Sequence, residues 1–285
     1  MTRVVTSHSD VSDVSNADSG QAHPRPMAKN VARGRRRWRG WLLPLFLIAL
    51  LEVVVRSGLV PSYLMPAPSE LAVTLAELAE GALWQHIAAS TGRVLAGFMC
   101  GAVLALLIGA IVGISRSVEA YIDPTFQALR AVPGLAWVPL LLIWLGIGES
   151  SKITLIAIGS FFPIYMNLVA GIRNVDRKLV EVGDMYHFSR LEKIRRIFVP
   201  AAQPYLFTGL RNGLSMAWLC VVAAELLAAT QGIGYLLTDG REVSRPDLVL
   251  IAIVSLAVMG KLTDTLLKVV EERSLRWRDA FSAAN

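Results

Sequence analysis

The sequence predicts an all-α integral membrane protein with about six transmembrane helices, both termini cytoplasmic, and a helical loop between the fourth and fifth spans. Three observations carry this. Of 285 residues, 54% are hydrophobic and 18% charged, against about 25% charge in an ordinary soluble domain. The apolar residues gather in runs close to the roughly 20 that a bilayer helix requires. The basic residues lie between the runs, concentrated in alternate loops, as a positive-inside bias demands. The runs do not alternate in polarity, which sets aside a membrane barrel.

Residues 1–30 are rich in Ser, Asp, Asn and Ala without a period and read as a disordered leader. With the arginine cluster it forms a basic-ended cytoplasmic segment, 1–37. A membrane domain follows over 38–280, then a short cytoplasmic tail, 281–285. The apolar run arrives too late for a signal peptide. Five arginines between Arg33 and Arg39 precede the short apolar run Trp41 to Val55, which Glu52 interrupts and which makes a first span if it reaches toward Tyr63, and they hold its start inside. Glu52 and Arg56 are four apart and can pair on one helix face.

Pro61 to Pro68 predicts an extended or turning segment. An amphipathic external helix with Glu70, Glu77 and Glu80 continues toward the second span, Ile87 to Ile114. That span carries Arg93 near its outer end and two glycine pairs at i,i+4, Gly97/Gly101 and Gly109/Gly113, a spacing that permits close helix packing. The third span, Thr125 to Leu145, contains Pro133, Gly134 and Pro139. GIGESS turns outside into the fourth, Ile153 to Ile172, which contains Pro163. The fifth runs from Tyr205 to Ala228 and the sixth from Leu248 to Val270.

The loop between the fourth and fifth spans is the most basic within the membrane domain. Residues 173–204 hold seven Lys or Arg against four Asp or Glu. Val175, Leu179, Val182 and Tyr186 form one apolar stripe at helical spacing, and Leu191, Ile194 and Phe198 a second. Ser189 and Glu192 fit a capping box, so a new helix starts at Ser189. Pro200 limits that helix, and Pro204 suits the start of the fifth span.

The remaining polar residues weigh toward structure. Glu225 lies near the outer end of the fifth span. Pairing with a neighbouring helix is its leading reading; the translocation path and a simple interfacial position are the others. Arg93 reads first as an interfacial anchor. Arg93, Pro133, Glu225 and Gly232 are nevertheless the candidates for a path or gate. Arg211 either snorkels to the headgroups or serves function. Lys261, Asp264 and Lys268 form an i,i+3 and i,i+4 charge chain. Cys100 and Cys220 stand inside apolar runs with no ligand-spaced partners, so no metal site is predicted. No nucleophile–base pair appears, and an enzyme is not predicted. Nucleic acid is not the expected partner of the positive charge; the lipid bilayer is.

The loop resembles the signature of the inner-membrane permease subunits of ABC importers, which reads Glu-Ala-Ala, three residues, Gly, nine residues, Ile, one residue, Leu-Pro. Here Glu181-Val182-Gly183 is followed by His187 at the glycine position and by Ile197-Phe198-Val199-Pro200. The segments LMPAPSE, ALRAVPGLAWVPLLLIWLGIGESSKI, FFPIYMNLVAGIRNVDRKLVEVG and AAELLAATQGIGYLL resemble the aliphatic sulfonate permease group, related to taurine and nitrate permeases. The likeness covers about residues 38 to 280.

It implies a non-enzymatic subunit of the bacterial plasma membrane that imports aliphatic sulfonates, or alternatively taurine, nitrate or another small anion, by alternating access. It implies a second permease copy, a cytosolic ATPase dimer that binds ATP and magnesium, and an extracytoplasmic substrate-binding protein. The loop, with Lys178, Glu181, Gly183, His187, Ser189, Glu192 and Pro200, is then the ATPase-coupling element. An ATP-independent secondary transporter is the rival from another class. It predicts internal repeats or mid-membrane ionisable groups. His187 departs from the signature: a left-handed backbone there would cost a non-glycine residue roughly 1–2 kcal/mol.

Overall fold

The computed structural model describes residues 32–61 and 63–276. The leader predicted over residues 1–30 and the tail over 281–285 lie outside them. The chain divides into two units, residues 1–49 and 50–285. Regular structure among the described residues is entirely helical.

The first unit contains most of α1 (Ala32–Arg56). Leu42, Leu43, Phe46 and Ile48 are exposed on it, an apolar surface suited to lipid. The second unit holds the end of α1 and everything after it. There Glu52 pairs with Arg56 at 2.6 Å, as their spacing predicted. Glu52 also accepts the Ser69 backbone N–H at 3.0 Å, in the first turn of α2 (Pro68–Ala79).

Four helices are long and apolar enough to cross a membrane: α3 (Ala82–Ile114), α6 (Glu149–Arg173), α9 (Val199–Ala228) with its lead-in from Arg190, and α11 (Pro246–Ser274). A bent pair, α4 (Arg116–Ala131) and the segment Gly134–Leu145 that ends in α5 (Trp137–Leu145), makes a fifth. The protein is thus an all-α, multi-pass membrane protein with four to five such spans among the described residues.

The core centres on α6, which packs against α3 on one side and α9 on the other. Ile156, Ile164 and Tyr165 of α6 are fully buried with Val94, Ala105 and Val112 of α3 and Ala217 and Val221 of α9. The predicted glycine pairing explains the close approach. A Cβ on Gly97 would stand 2.6 Å from Ile156 Cβ, and one on Gly101 would meet the Ser160 hydroxyl. Leu104, Leu107 and Ile111 of α3 and Val254 and Val258 of α11 remain exposed, as lipid-facing side chains should.

The structure corrects the sequence reading in three places. The predicted external helix does not run into the second span. Gly81 (φ −141, ψ −102) leaves the helical region and separates α2 from α3. The third span is not one helix from Thr125. Val132 sits in extended conformation (ψ 121) because a residue before proline is driven out of the helical region, and the chain bends by 83° at Val132–Pro133. Nor does Pro200 limit a helix. Helix α8 (Arg190–Lys193) passes through a π-helical turn, Ile194–Phe198, straight into α9. The π-helical turn stands immediately before Pro200, near the start of α9, where the missing N–H of a proline is best tolerated.

Candidate functional site

Three features stand out: a hairpin between α6 and α9, a buried polar cluster at the opposite end of those helices, and a cavity between the two.

The hairpin begins at Asp176, whose side chain caps α7 (Arg177–Met185) by accepting the Lys178 N–H at 2.9 Å. The sequence reading did not single out Asp176; an Asp just before a helical stripe was the available signal. After α7 the chain reverses at Tyr186–Phe188. His187 has φ 55. Its N–H donates to the Asp184 carbonyl at 2.9 Å, and the Phe188 N–H donates to the Gly183 carbonyl at 2.9 Å. These two bonds around a left-handed residue are a Schellman motif, the C-terminal cap that ordinarily selects glycine.

Ser189 then opens α8 with the predicted capping box. Its hydroxyl accepts the Glu192 N–H at 3.3 Å, and the Glu192 carboxylate accepts the Ser189 N–H at 2.9 Å. Lys193 pairs with Asp184 across the turn, and the Arg196 guanidinium lies 5.1 Å from the Phe188 ring centre. Gly183 is buried against Ile197. Lys178, Glu181, His187 and Ser189 are exposed, while Glu192 and Pro200 are half-buried. The stripe Leu179, Val182 and Tyr186 is exposed, with Met185 beside it. A capped, internally tied hairpin therefore presents apolar side chains outward.

At the other end, the structure brings Arg93, Glu225 and Gly232 together. Glu225 is fully buried. Its carboxylate accepts from Arg93 Nη1 at 2.7 Å, from the Ser90 hydroxyl at 2.8 Å and from the Gly234 N–H at 2.8 Å. Arg93, 9% exposed, also donates to Glu149 Oε2 at 2.7 Å and to the Gln231 carbonyl at 2.6 Å. Lys152 pairs with Glu149 at 3.0 Å. The Gly232 N–H donates to His86 Nδ1 at 3.1 Å. Gly232 has φ 133, and a Cβ there would collide with the Glu225 carboxylate.

This cluster joins α3, α6, α9 and the start of α10 (Ile233–Glu242). Arg93 is an interhelical tie rather than an interfacial anchor. Its charge already faces two carboxylates, so the cluster has no open cationic valence for an anion. Ser90, Glu149 and Lys152 were not anticipated: the partners of Ser90 and Glu149 on other helices leave no mark in local sequence, whereas the i,i+3 spacing of Glu149 and Lys152 was an available signal. Arg211 reaches Asp264 at 2.8 Å and Glu271 at 3.6 Å, joining α9 to α11. Lys268 lies 3.7 Å from Glu272.

Pro133, the fourth path candidate, stands elsewhere. It lines a cavity of about 640 Å³ between the broken span, α6 and α9. Arg130, Trp137, Asn167 and Asn212 supply its polar atoms; Phe162, Met216 and Leu219 are among its apolar walls. Among the described residues, no group of three or more His, Cys, Asp or Glu is placed to hold a metal ion.

A family model described as "Binding-protein-dependent transport system inner membrane component" matches residues 97–276. The chain is similar to the "Putative aliphatic sulfonates transport permease protein SsuC" of Bacillus subtilis (strain 168), at 40% identity over 93% of this chain and 98% of the relative. It is similar to the protein of the same description in Escherichia coli (strain K12), at 40% identity over 90% and 97%. It also resembles the "Taurine transport system permease protein TauC" of Escherichia coli (strain K12), at 32% identity over 81% and 86%.

Proposed function

We infer, from the premise that the chain belongs to the family of binding-protein-dependent transport system inner membrane components, that it is the permease subunit of an ATP-driven importer of aliphatic sulfonates. The observation that carries the substrate class is the 40% identity to two sulfonate permease relatives across nearly the whole of each. Identity to the taurine relative is lower, at 32%. The subunit performs no covalent chemistry. Its place is the bacterial inner membrane, beside a second copy of itself, a cytosolic ATPase dimer that binds ATP and magnesium, and an extracytoplasmic binding protein.

In this reading α1 is the first of six spans, the bent pair is the third, and both termini are cytoplasmic. The basic hairpin then faces the cytosol. Lys178, Glu181 and His187 lie on its exposed side with the Leu179–Val182–Tyr186 stripe and meet the ATPase. Gly183, Ser189, Glu192 and Pro200 shape the element that carries them. Because the hairpin is continuous with α9 through the π turn, movement at the ATPase reaches a helix that lines the cavity. Arg93, Glu225 and Gly232 hold the far ends of the helices together, while Pro133 marks the path.

Reconstitution with the cognate ATPase and binding protein tests the reading. ATP-dependent uptake of alkanesulfonates exceeding that of taurine and nitrate is expected. Uptake by this chain alone without ATP would overturn it. Uptake of taurine or nitrate but of no unsubstituted alkanesulfonate would move the substrate to one of those two.

A further inference from the structure

The geometry points to the mid-span cavity as a binding site for a small organic sulfonate, with Arg130 as the anion-binding cation and the surrounding apolar wall as the seat of the carbon chain. The inference rests on the importer reading and extends it to particular residues.

Position is the first argument. The lining residues occupy the middle of both long helices, Ile158 to Asn167 of α6 and Asn212 to Cys220 of α9. The break at Val132–Pro133 opens the same level and brings the start of the Gly134–Leu145 segment, with its partial positive charge, to the cavity. Irregular backbone at membrane depth is tolerated where it lines a cavity.

Charge is the second. Arg93, Arg173 and Arg211 each pair with a carboxylate. Arg130 has no such partner among the described residues, and no Asp or Glu lines the cavity. Arg130 is exposed at the cavity wall, so its guanidinium is open to an entering anion. The Asn212 amide and the Trp137 indole N–H also make no hydrogen bond among the described residues, so neutral donors accompany the guanidinium. The Asn167 amide nitrogen is committed to the Pro163 carbonyl at 2.8 Å, leaving its oxygen.

Shape is the third. A volume of about 640 Å³ falls within the roughly 300–1,000 Å³ of ordinary small-ligand sites and exceeds the needs of a bare inorganic anion. Phe162, Met216 and Leu219 offer carbon surface, which a sulfonate's alkyl chain can use and nitrate cannot.

The test uses the complete transporter in proteoliposomes with ethane-, butane- and hexanesulfonate. Taking each variant's uptake rate relative to wild type, substrate by substrate, cancels the binding protein's own selection. Arg130→Gln should lower uptake of all three by roughly 10- to 100-fold, the loss of one charge-assisted hydrogen bond, and Arg130→Lys should recover part of it. Leu219→Trp should depress hexanesulfonate several-fold more than ethanesulfonate. Arg116→Gln, at the exposed start of α4 and away from the cavity, should match wild type.

A second measurement does not depend on transport by Arg130 variants. In the full complex carrying Leu219→Cys with Cys100→Ser and Cys220→Ser, hexanesulfonate should slow alkylation and nitrate should not. Arg130→Gln within twofold of wild type, or alkylation unaffected by hexanesulfonate, would overturn the site while leaving the importer reading intact. A wild-type complex that imports no sulfonate would overturn both.

Discussion

At position 187 the hairpin places an imidazole side chain on a left-handed backbone, φ 55, in a cap that glycine fills without strain. His187→Gly should raise stability by about 1 kcal/mol. Thermal unfolding of the purified protein in detergent would register it, and sulfonate-stimulated ATP hydrolysis should persist. A fall in coupling with unchanged or higher stability would show that the imidazole itself contacts the ATPase. The opposite sign holds for Glu225, whose carboxylate is fully buried and accepts three different donors. Glu225→Ala removes one of the two carboxylates beside Arg93, leaves the Ser90 hydroxyl and the Gly234 N–H without that acceptor, and should cost about 3 kcal/mol. Glu149→Gln should cost distinctly less, because that side chain is 55% exposed and the amide oxygen still accepts from Arg93 and the buried Lys152. Equal losses in the same unfolding assay would count against the buried tie.

At the scale of the element, the hairpin was legible because its signals are local. The stripe Leu179–Val182–Tyr186, the Ser189–Glu192 box and the position of the turn all follow from contacts within a few residues along the chain. Ser189→Ala should cost about 1 kcal/mol of helix stability. Faster amide hydrogen exchange confined to the start of α8 would report it, and exchange unchanged there would contradict the role of the cap. Pro200 was misread because a proline signals a break only in a helix interior, and here it stands near the start of α9, just after the π turn at Ile194–Phe198. Pro133 was recognised as a breaker, but the 83° it imposes is set by the extended Val132 and the packing on either side.

Over the whole molecule, the proposed orientation rests on charge. The basic hairpin and the Gly146–Gly148 turn lie at opposite ends of α6. In intact right-side-out vesicles, His187→Cys should resist a membrane-impermeant thiol reagent until the membrane is opened. Ile147→Cys, at a position 82% exposed, should react at once. The reverse order would invert the proposed topology and place the hairpin out of reach of a cytosolic ATPase.

Hydropathy runs, caps, glycine spacing and the bias of basic residues are short-range properties, and the sequence by itself determined from them an all-helical membrane protein with a capped basic hairpin. The tertiary structure alone decided which charges meet. Arg93 and Glu225 are 132 positions apart, and Arg211 and Asp264 are 53 apart. It also decided that Arg130, at the cavity wall, has no carboxylate beside it among the described residues, although in sequence it reads like any arginine near a span. The physical reason is the same for all of them. In a bundle, the cost and use of a buried charge depend on what the neighbouring helices place beside it, and neighbouring helices are distant in sequence.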